Sequence, residues 1–266
     1  MLPLFYQHYI TEKTDSQNPP LLILHGLLGS SRNWRSIAPH LADTCPVWAL
    51  DMRNHGQSPH HEQHDYESMV YDVLYFIKKH AAIPAPIILG HSMGGKVAMR
   101  LACHYPNLIK GLIIVDIAPK AYQEVHYDKE FKAMATMRLN TLNSRQEAAH
   151  YMRQFIDNED HIQFLLTNLK RENNAFEWQI NLSALTAALT PLANNSLEPD
   201  AHYHGRTLFI RGKKSYFIED EDLKKIQHFF PQAQIVTLDN SGHNPHHDEP
   251  GAFCKTVIDF IHTIAH

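Results

Sequence analysis

The stretch Gly90-His91-Ser92-Met93-Gly94-Gly95 sets a serine between glycines two residues to either side. The apolar run Pro86-Ile87-Ile88-Leu89 before it reads as a buried strand, and Lys96-Val97-Ala98-Met99-Arg100-Leu101-Ala102 after it reads as a helix. So sharp a turn from strand to helix forces Ser92 into a sparsely populated backbone region, and the glycines let the two elements approach without Cβ clashes. The serine hydroxyl is then presented above the sheet edge, and the amide of Met93 points at an oxygen on which negative charge develops. This is the spacing of a nucleophile elbow, and the chemistry it suits is acyl transfer. A neutral alcohol is a weak nucleophile, so the rest of the chain must supply a base, a group to orient that base, and a second oxyanion donor.

The surrounding pattern supplies a sheet to carry them. Residues 4–10 read as an edge strand; Leu21-Leu22-Ile23-Leu24, Pro46-Val47-Trp48-Ala49-Leu50 and Leu112-Ile113-Ile114-Val115 are continuous apolar runs of the kind covered on both faces of a parallel sheet. Helices are predicted over 33–42, with Trp34, Ile37 and Leu41 on one face, and over 66–81, with Val70, Val73, Leu74 and Ile77 at helical spacing. Asp116 ends an apolar strand, on the edge where α/β folds place their ligands. From residue 118 to 203 the alternation stops. That segment is rich in helix formers and in Phe, Met and Trp, and reads as an all-helical insertion. Alternation resumes with Arg206-Thr207-Leu208-Phe209-Ile210-Arg211-Gly212, a helix over 219–230, a strand over 233–238 and a last helix over 252–264.

Composition removes several function classes. A chain of 266 residues, 44% hydrophobic, can bury one large core. A formal net charge of −4 with mixed signs offers no basic stripe to nucleic acid. Three scattered cysteines, Cys45, Cys103 and Cys254, do not make a disulfide framework and point to a reducing compartment. The first ten residues lack a signal-peptide pattern and no run reaches the length of a membrane span, so the expectation is a soluble cytoplasmic protein. Most of the 21 histidines read as solvated, including His60, His61 and His64 in a polar loop, and His246 and His247 lack zinc-site spacing.

Three motifs in order, His25-Gly26-x-x-Gly29, Asp51-x-Arg53-x-His55-Gly56-x-Ser58 and Gly90-x-Ser92-x-Gly94-Gly95, resemble the α/β-hydrolase superfamily, and Trp178-Gln179-Ile180-Asn181-Leu182-Ser183-Ala184-Leu185 resembles the end of the lid in YbfF-type small bacterial esterases. The resemblance implies an α/β fold with a mostly parallel central sheet flanked by helices. It divides the chain into a core over 1–117 and 204–266 and a helical lid over 118–203. It implies Leu27 as the second oxyanion amide beside Met93, His25 and Trp178 as substrate contacts, and the 51–58 loop as an organiser without a catalytic role. In Gly242-His243-x-x-His246-x-Asp248-x-Pro250 it makes His243 the base, with Asn244 where an aromatic is frequent in relatives. Many relatives carry the acid three residues past the glycine matching Gly212, but that position is Ser215 here. The YbfF-type pattern puts it instead within Val115-Asp116-Ile117-Ala118-Pro119, at Asp116. The implied activity is hydrolysis of carboxylic esters of short to medium acyl chain through an acyl-enzyme, with thioesters such as acyl-CoA also open, and with neither cofactor nor metal. Alternatives on the same scaffold are a menaquinone-pathway lyase or carbon-carbon hydrolase, which needs lid cations such as Arg138, Arg145, Arg153 and Arg171, and a slow-turnover ligand receptor.

Overall fold

The computed structural model describes residues 1–80, 84–122, 127–173 and 175–265. Its strands are β1 (Tyr6–Tyr9), β2 (Leu21–Leu24), β3 (Val47–Leu50), β4 (Ile87–His91), β5 (Gly111–Val115), β6 (Leu169–Glu172), β7 (Ala175–Trp178), β8 (Thr207–Gly212) and β9 (Ala233–Leu238). The helices are α1 (Ala38–Ala42), α2 (Tyr66–Lys79), α3 (Met93–His104), α4 (Asp128–Thr136), α5 (Arg145–Met152), α6 (Glu159–Leu166), α7 (Leu182–Ala193), α8 (Leu223–Phe229), α9 (Pro245–Asp248) and α10 (Pro250–Ala265). The main sheet runs β1-β3-β2-β4-β5-β8-β9, with β1 antiparallel to β3 and the remaining pairs parallel.

The continuous apolar strands bury both faces, as their sequences require. Leu22 and Leu24 join a core with α2 and α3 on one face, whereas Leu21 and Ile23 join α1 and α10 on the other. Each such Leu or Ile contributes about 1.5–3 kcal/mol by leaving water, so β2, β4 and β5, buried at every position, form the rigid floor of the site. Asp65 caps α2 by accepting the Ser68 amide at 2.7 Å. The sequence reading carried that helix to Ala81, which lies outside the described residues.

Two expectations about helices need correction. The 33–42 helix is split into a 3₁₀ turn (Ser31–Trp34) and α1, because Pro39 has no amide to donate and sits in the first turn of a new helix. The insertion between β5 and β8 is not all helical: β6 and β7 pair as an antiparallel hairpin, turning at Asn173 with φ 48°. Leu169 and Phe176 are the buried residues of the hairpin, one in each strand, too few to set a strand period against the helix formers Lys170, Arg171, Glu172 and Glu177 around them. The insertion has a core of its own, containing Phe131, Met134, Met152, Ile162 and Leu165, and Leu28 from the loop after β2 is part of it. Among the described residues no helix is long and apolar enough to cross a membrane.

The loop after β3 is fastened to this frame by a buried ion pair. Arg53 donates through Nε to Asp72 Oδ2 at 2.6 Å and through Nη2 to Oδ1 at 2.9 Å, tying residues 51–58 to α2, and Asp72 is wholly buried. Removing one member of such a pair leaves an uncompensated buried charge. Asp72→Ala is therefore expected to lower unfolding free energy by about 3–5 kcal/mol, read from urea denaturation at pH 7; a loss below 1 kcal/mol contradicts a buried, obligatory pair.

Candidate active site

Ser92 takes φ 52° and ψ −116° at the junction of β4 and α3. The turn closes so tightly that a Cβ on Gly94 would lie 2.3 Å from the Leu24 carbonyl oxygen, and one on Gly90 would lie 2.3 Å from the carbonyl oxygen of Gly94. The glycines are thus demanded by backbone on backbone, where nothing can swing aside. The Ser92 amide donates to the Val115 carbonyl at 3.1 Å, which pins the elbow to the end of β5.

Asp116 follows β5 with φ 49° and is completely buried. Its backbone amide donates to Ile210 at 2.8 Å, so the register of β5 against β8 sets where the carboxylate points. Oδ1 accepts the Gly212 amide at 2.9 Å; Oδ2 accepts the Ser215 hydroxyl at 2.5 Å and lies 2.8 Å from His243 Nδ1. The other ring nitrogen, Nε2, is 3.0 Å from Ser92 Oγ. Phe217 stacks on the imidazole with centroids 3.8 Å apart and planes 20° apart, and His91 donates from Nε2 to the His243 carbonyl at 2.8 Å. Three segments far apart in sequence therefore meet in one line from serine to imidazole to carboxylate. Asp220, a carboxylate in the segment after β8 where many relatives carry the acid, forms an exposed ion pair with Arg211 at 2.7 Å instead.

Two cavities meet at Ser92, Leu27, Tyr127 and Phe217. One, of about 50 Å³, is walled mainly by apolar and aromatic side chains such as Met93, Ile117, Tyr122, Leu189 and Leu192. The other, of about 610 Å³, has a mixed lining in which aromatic rings and histidines stand beside Glu130, Asp160 and Asp248. The amides of Leu27 and Met93 border the small cavity, and neither donates to another described residue. They are two free donors beside the serine.

The remaining expected contacts fall differently. His25 borders the large cavity, but its ring is spent on backbone: Nε2 accepts the Met52 amide at 2.9 Å and Nδ1 donates to Gly26 at 2.7 Å. Trp178 does not border either cavity. Its indole donates to the Met134 carbonyl at 3.1 Å and it lines a shallow outer depression with Gly56 and Gln57, because β7 turns that ring toward the 51–58 loop. Sequence reasoning missed Ser215 as a donor to the acid, Phe217 as the plate behind the imidazole, and Lys96 in the small cavity; a lysine inside the apolar face of α3 was the one available signal.

With this geometry in hand, comparison with known proteins is decisive. A model of the alpha/beta hydrolase fold matches residues 19–250. The chain belongs to the α/β-hydrolase family, and it is a hydrolase enzyme. It is 35% identical over 249 residues to the sn-1-specific diacylglycerol lipase ABHD11 of Danio rerio, covering 91% of this chain and 78% of that one. It is 30% identical over 251 residues to the esterase YbfF of Escherichia coli, covering 94% and 96%. A solved marine microorganism esterase superposes with a TM-score of 0.92 at 34% identity, covering 98% of this chain and all of the other.

The histidines expected at the surface include buried ones. His64 and His246 are enclosed, the latter stacked on Trp34 at 4.4 Å, as are His25 and His55. His55 accepts the Leu28 amide at 3.1 Å, so His25 and His55 lace the loop after β2 to the loop after β3 through their unprotonated nitrogens. Burial pulls His25 down to about 4 and His55 and His64 to about 3. An unfolded chain binds protons at these sites below about pH 6.5 while the native one does not. Their contribution is therefore complete above pH 6.5 and is lost as pH falls toward 3–4, at up to about 1.4 kcal/mol per pH unit for each histidine. The melting midpoint should fall steadily from pH 6.5 to 4.5 in calorimetry; a flat profile there contradicts neutral buried rings.

Proposed function

We propose that the protein hydrolyses carboxylic esters through an acyl-enzyme on Ser92, with His243 as general base and Asp116 as its orienting acid. The observation that carries this reading is the unbroken contact from Ser92 Oγ to His243 Nε2 at 3.0 Å and from His243 Nδ1 to Asp116 at 2.8 Å. As Oγ bonds to the acyl carbon, Nε2 takes its proton and the carbonyl oxygen becomes an oxyanion, met by the free amides of Leu27 and Met93. Loss of one such donor typically costs about 3 kcal/mol. Collapse breaks the bond to the alcohol oxygen, which leaves with the proton from His243. Water then attacks the acyl carbon and gives a proton to the same nitrogen; collapse breaks the acyl–Oγ bond, Ser92 takes that proton back, and the carboxylic acid product leaves.

The shapes of the two cavities support an assignment of substrate ends. The small cavity, about 50 Å³ against about 610 Å³ for the neighbouring cleft, suits the smaller acyl end of an ester. The wide cleft suits the alcohol. Its described lining contains neither Lys nor Arg, so it offers no permanent cation to the phosphates of a coenzyme A thioester and suits an uncharged alcohol. The lyase reading loses its cations: Arg145 is spent on the carbonyls of Leu166 and Leu169, Arg153 pairs with Glu159, Arg171 lies over Phe176, and none of these or Arg138 borders either cavity. We assign residues 118–203 as a lid over a core of 1–117 and 204–266, since Tyr127, Glu130 and Leu189 of that segment wall the cavities. The free thiols of Cys45, Cys103 and Cys254 support a cytoplasmic location.

Asp116→Asn is expected to lower kcat on p-nitrophenyl acetate by about 10³–10⁴, because the amide cannot stabilise an imidazolium. Asp220→Asn should stay within a few fold, and Ser92→Ala should abolish turnover. Near-normal kcat for Asp116→Asn together with a crippled Asp220→Asn would place the acid after β8 and overturn the assignment.

A further inference from the structure

Lys96 is the only charge-bearing side chain among the described residues that border the small cavity. It lies one turn beyond Ser92 on α3 and is 2% exposed. Its ammonium donates to the Asn194 carbonyl at 2.6 Å and lies 4.9 Å from the ring centre of Tyr122 and 5.7 Å from that of Tyr66. The hydroxyls of those rings bond elsewhere: Tyr66 donates to Leu192 and Tyr122 to Phe217, both at 2.6 Å, and Tyr122 also accepts the Ala118 amide at 2.7 Å. Among the described residues no carboxylate pairs with Lys96, whereas Lys120 nearby is held by Asp222 at 2.6 Å. An ammonium has three N–H donors, and one accounts for the Asn194 contact. Burial lowers its pKa to about 7, consistent with a cation short of partners.

We propose that Lys96 is a specificity-determining residue that selects acyl groups ending in a carboxylate, so that the preferred substrates are half-esters of short dicarboxylic acids. This rests on the acyl-enzyme reading of Ser92 and names the acid it carries. Ser92 and Lys96 border the same small cavity, so the far end of an acyl group on Oγ lies in the space that Lys96 helps to wall. A carboxylate brings charge-assisted acceptors to the two remaining N–H groups. An apolar acyl group of the same length excludes water from the ammonium and returns no hydrogen bond, which penalises it. The ammonium in the acyl pocket also orients a half-ester, since its free carboxylate is drawn to that side of Ser92.

The test compares monoethyl succinate with ethyl butyrate, matched in acyl length, by pH-stat titration at pH 7. Wild-type kcat/KM is expected to favour the half-ester at least tenfold, and the ratio of the two values is expected to fall by about 10² or more in Lys96→Met. Succinate should inhibit the wild-type enzyme competitively at concentrations where butyrate does not, a measurement that stands even if the variant fails to fold. A wild-type ratio of one or less overturns the proposal. So does an unchanged ratio in a folded Lys96→Met, which would leave Lys96 only its tether from α3 to the end of α7. If the wild-type enzyme turns over neither ester and p-nitrophenyl acetate also fails, the acyl-enzyme reading itself fails; turnover of p-nitrophenyl acetate or butyrate with refusal of the half-ester overturns only the proposal for Lys96.

Discussion

A carboxylate taken wholly out of water must be met by donors, and the site is built around how Asp116 is met. Its Oδ1 takes the amide of Gly212, and its Oδ2 takes the hydroxyl of Ser215 and faces the imidazole of His243. The first two partners come from the end of β8 and the turn beyond it, the third from the loop after β9, and Asp116 itself from the end of β5. Parallel pairing of β5 with β8 and of β8 with β9 is thus the condition under which the three can converge. The same register ties the elbow down, because the Ser92 amide donates to Val115, the residue before Asp116. Asp116 so met holds the ring in one orientation, as the proposed role of His243 as base requires.

The second constraint follows from the proposed oxyanion role of Leu27. The loop after β2 must then leave the Leu27 amide unpaired while keeping its backbone fixed, two demands that ordinarily conflict. The conflict is resolved at its neighbours. Leu28 gives its amide to His55, Ser31 gives its amide to Asp51, and the Met52 amide enters His25, so the two loops are cross-linked on either side of the free N–H. Arg53 and Asp72 then fasten this laced pair to α2. The insertion closes over it, with Asn168 donating to the Leu28 carbonyl at 2.8 Å.

How much of this was legible in the sequence follows from how local each determinant is. The elbow is a steric fact of six consecutive residues, and continuous apolar strands declare a covered parallel sheet, so Ser92 and the sheet could be read directly. Asp116 and His243 could be named from their motifs, but their convergence depends on strand order, which no local spacing contains. Ser215 looked like a missing acid; only its contact with Asp116, 99 residues away, makes it a partner to the acid. His64 and His246 sit in polar strings of sequence yet are buried by packing from other elements. The hairpin of β6 and β7 was hidden because its exposed positions carry helix-forming charges, and Trp178 was misplaced with it. Lys96 violates the apolar pattern of its own helix, and such violations mark the positions where a buried polar group needs a partner that the fold alone does not provide.

The central claim is that Ser92 is the group that becomes acylated. Its most direct test is titration with a fluorophosphonate, followed by peptide mapping and a parallel assay of p-nitrophenyl ester turnover. The account predicts one adduct per chain, on the peptide bearing Ser92, with activity lost in proportion to labelling. Full turnover by protein labelled at Ser92, or inactivation through an adduct on a different residue, would contradict it.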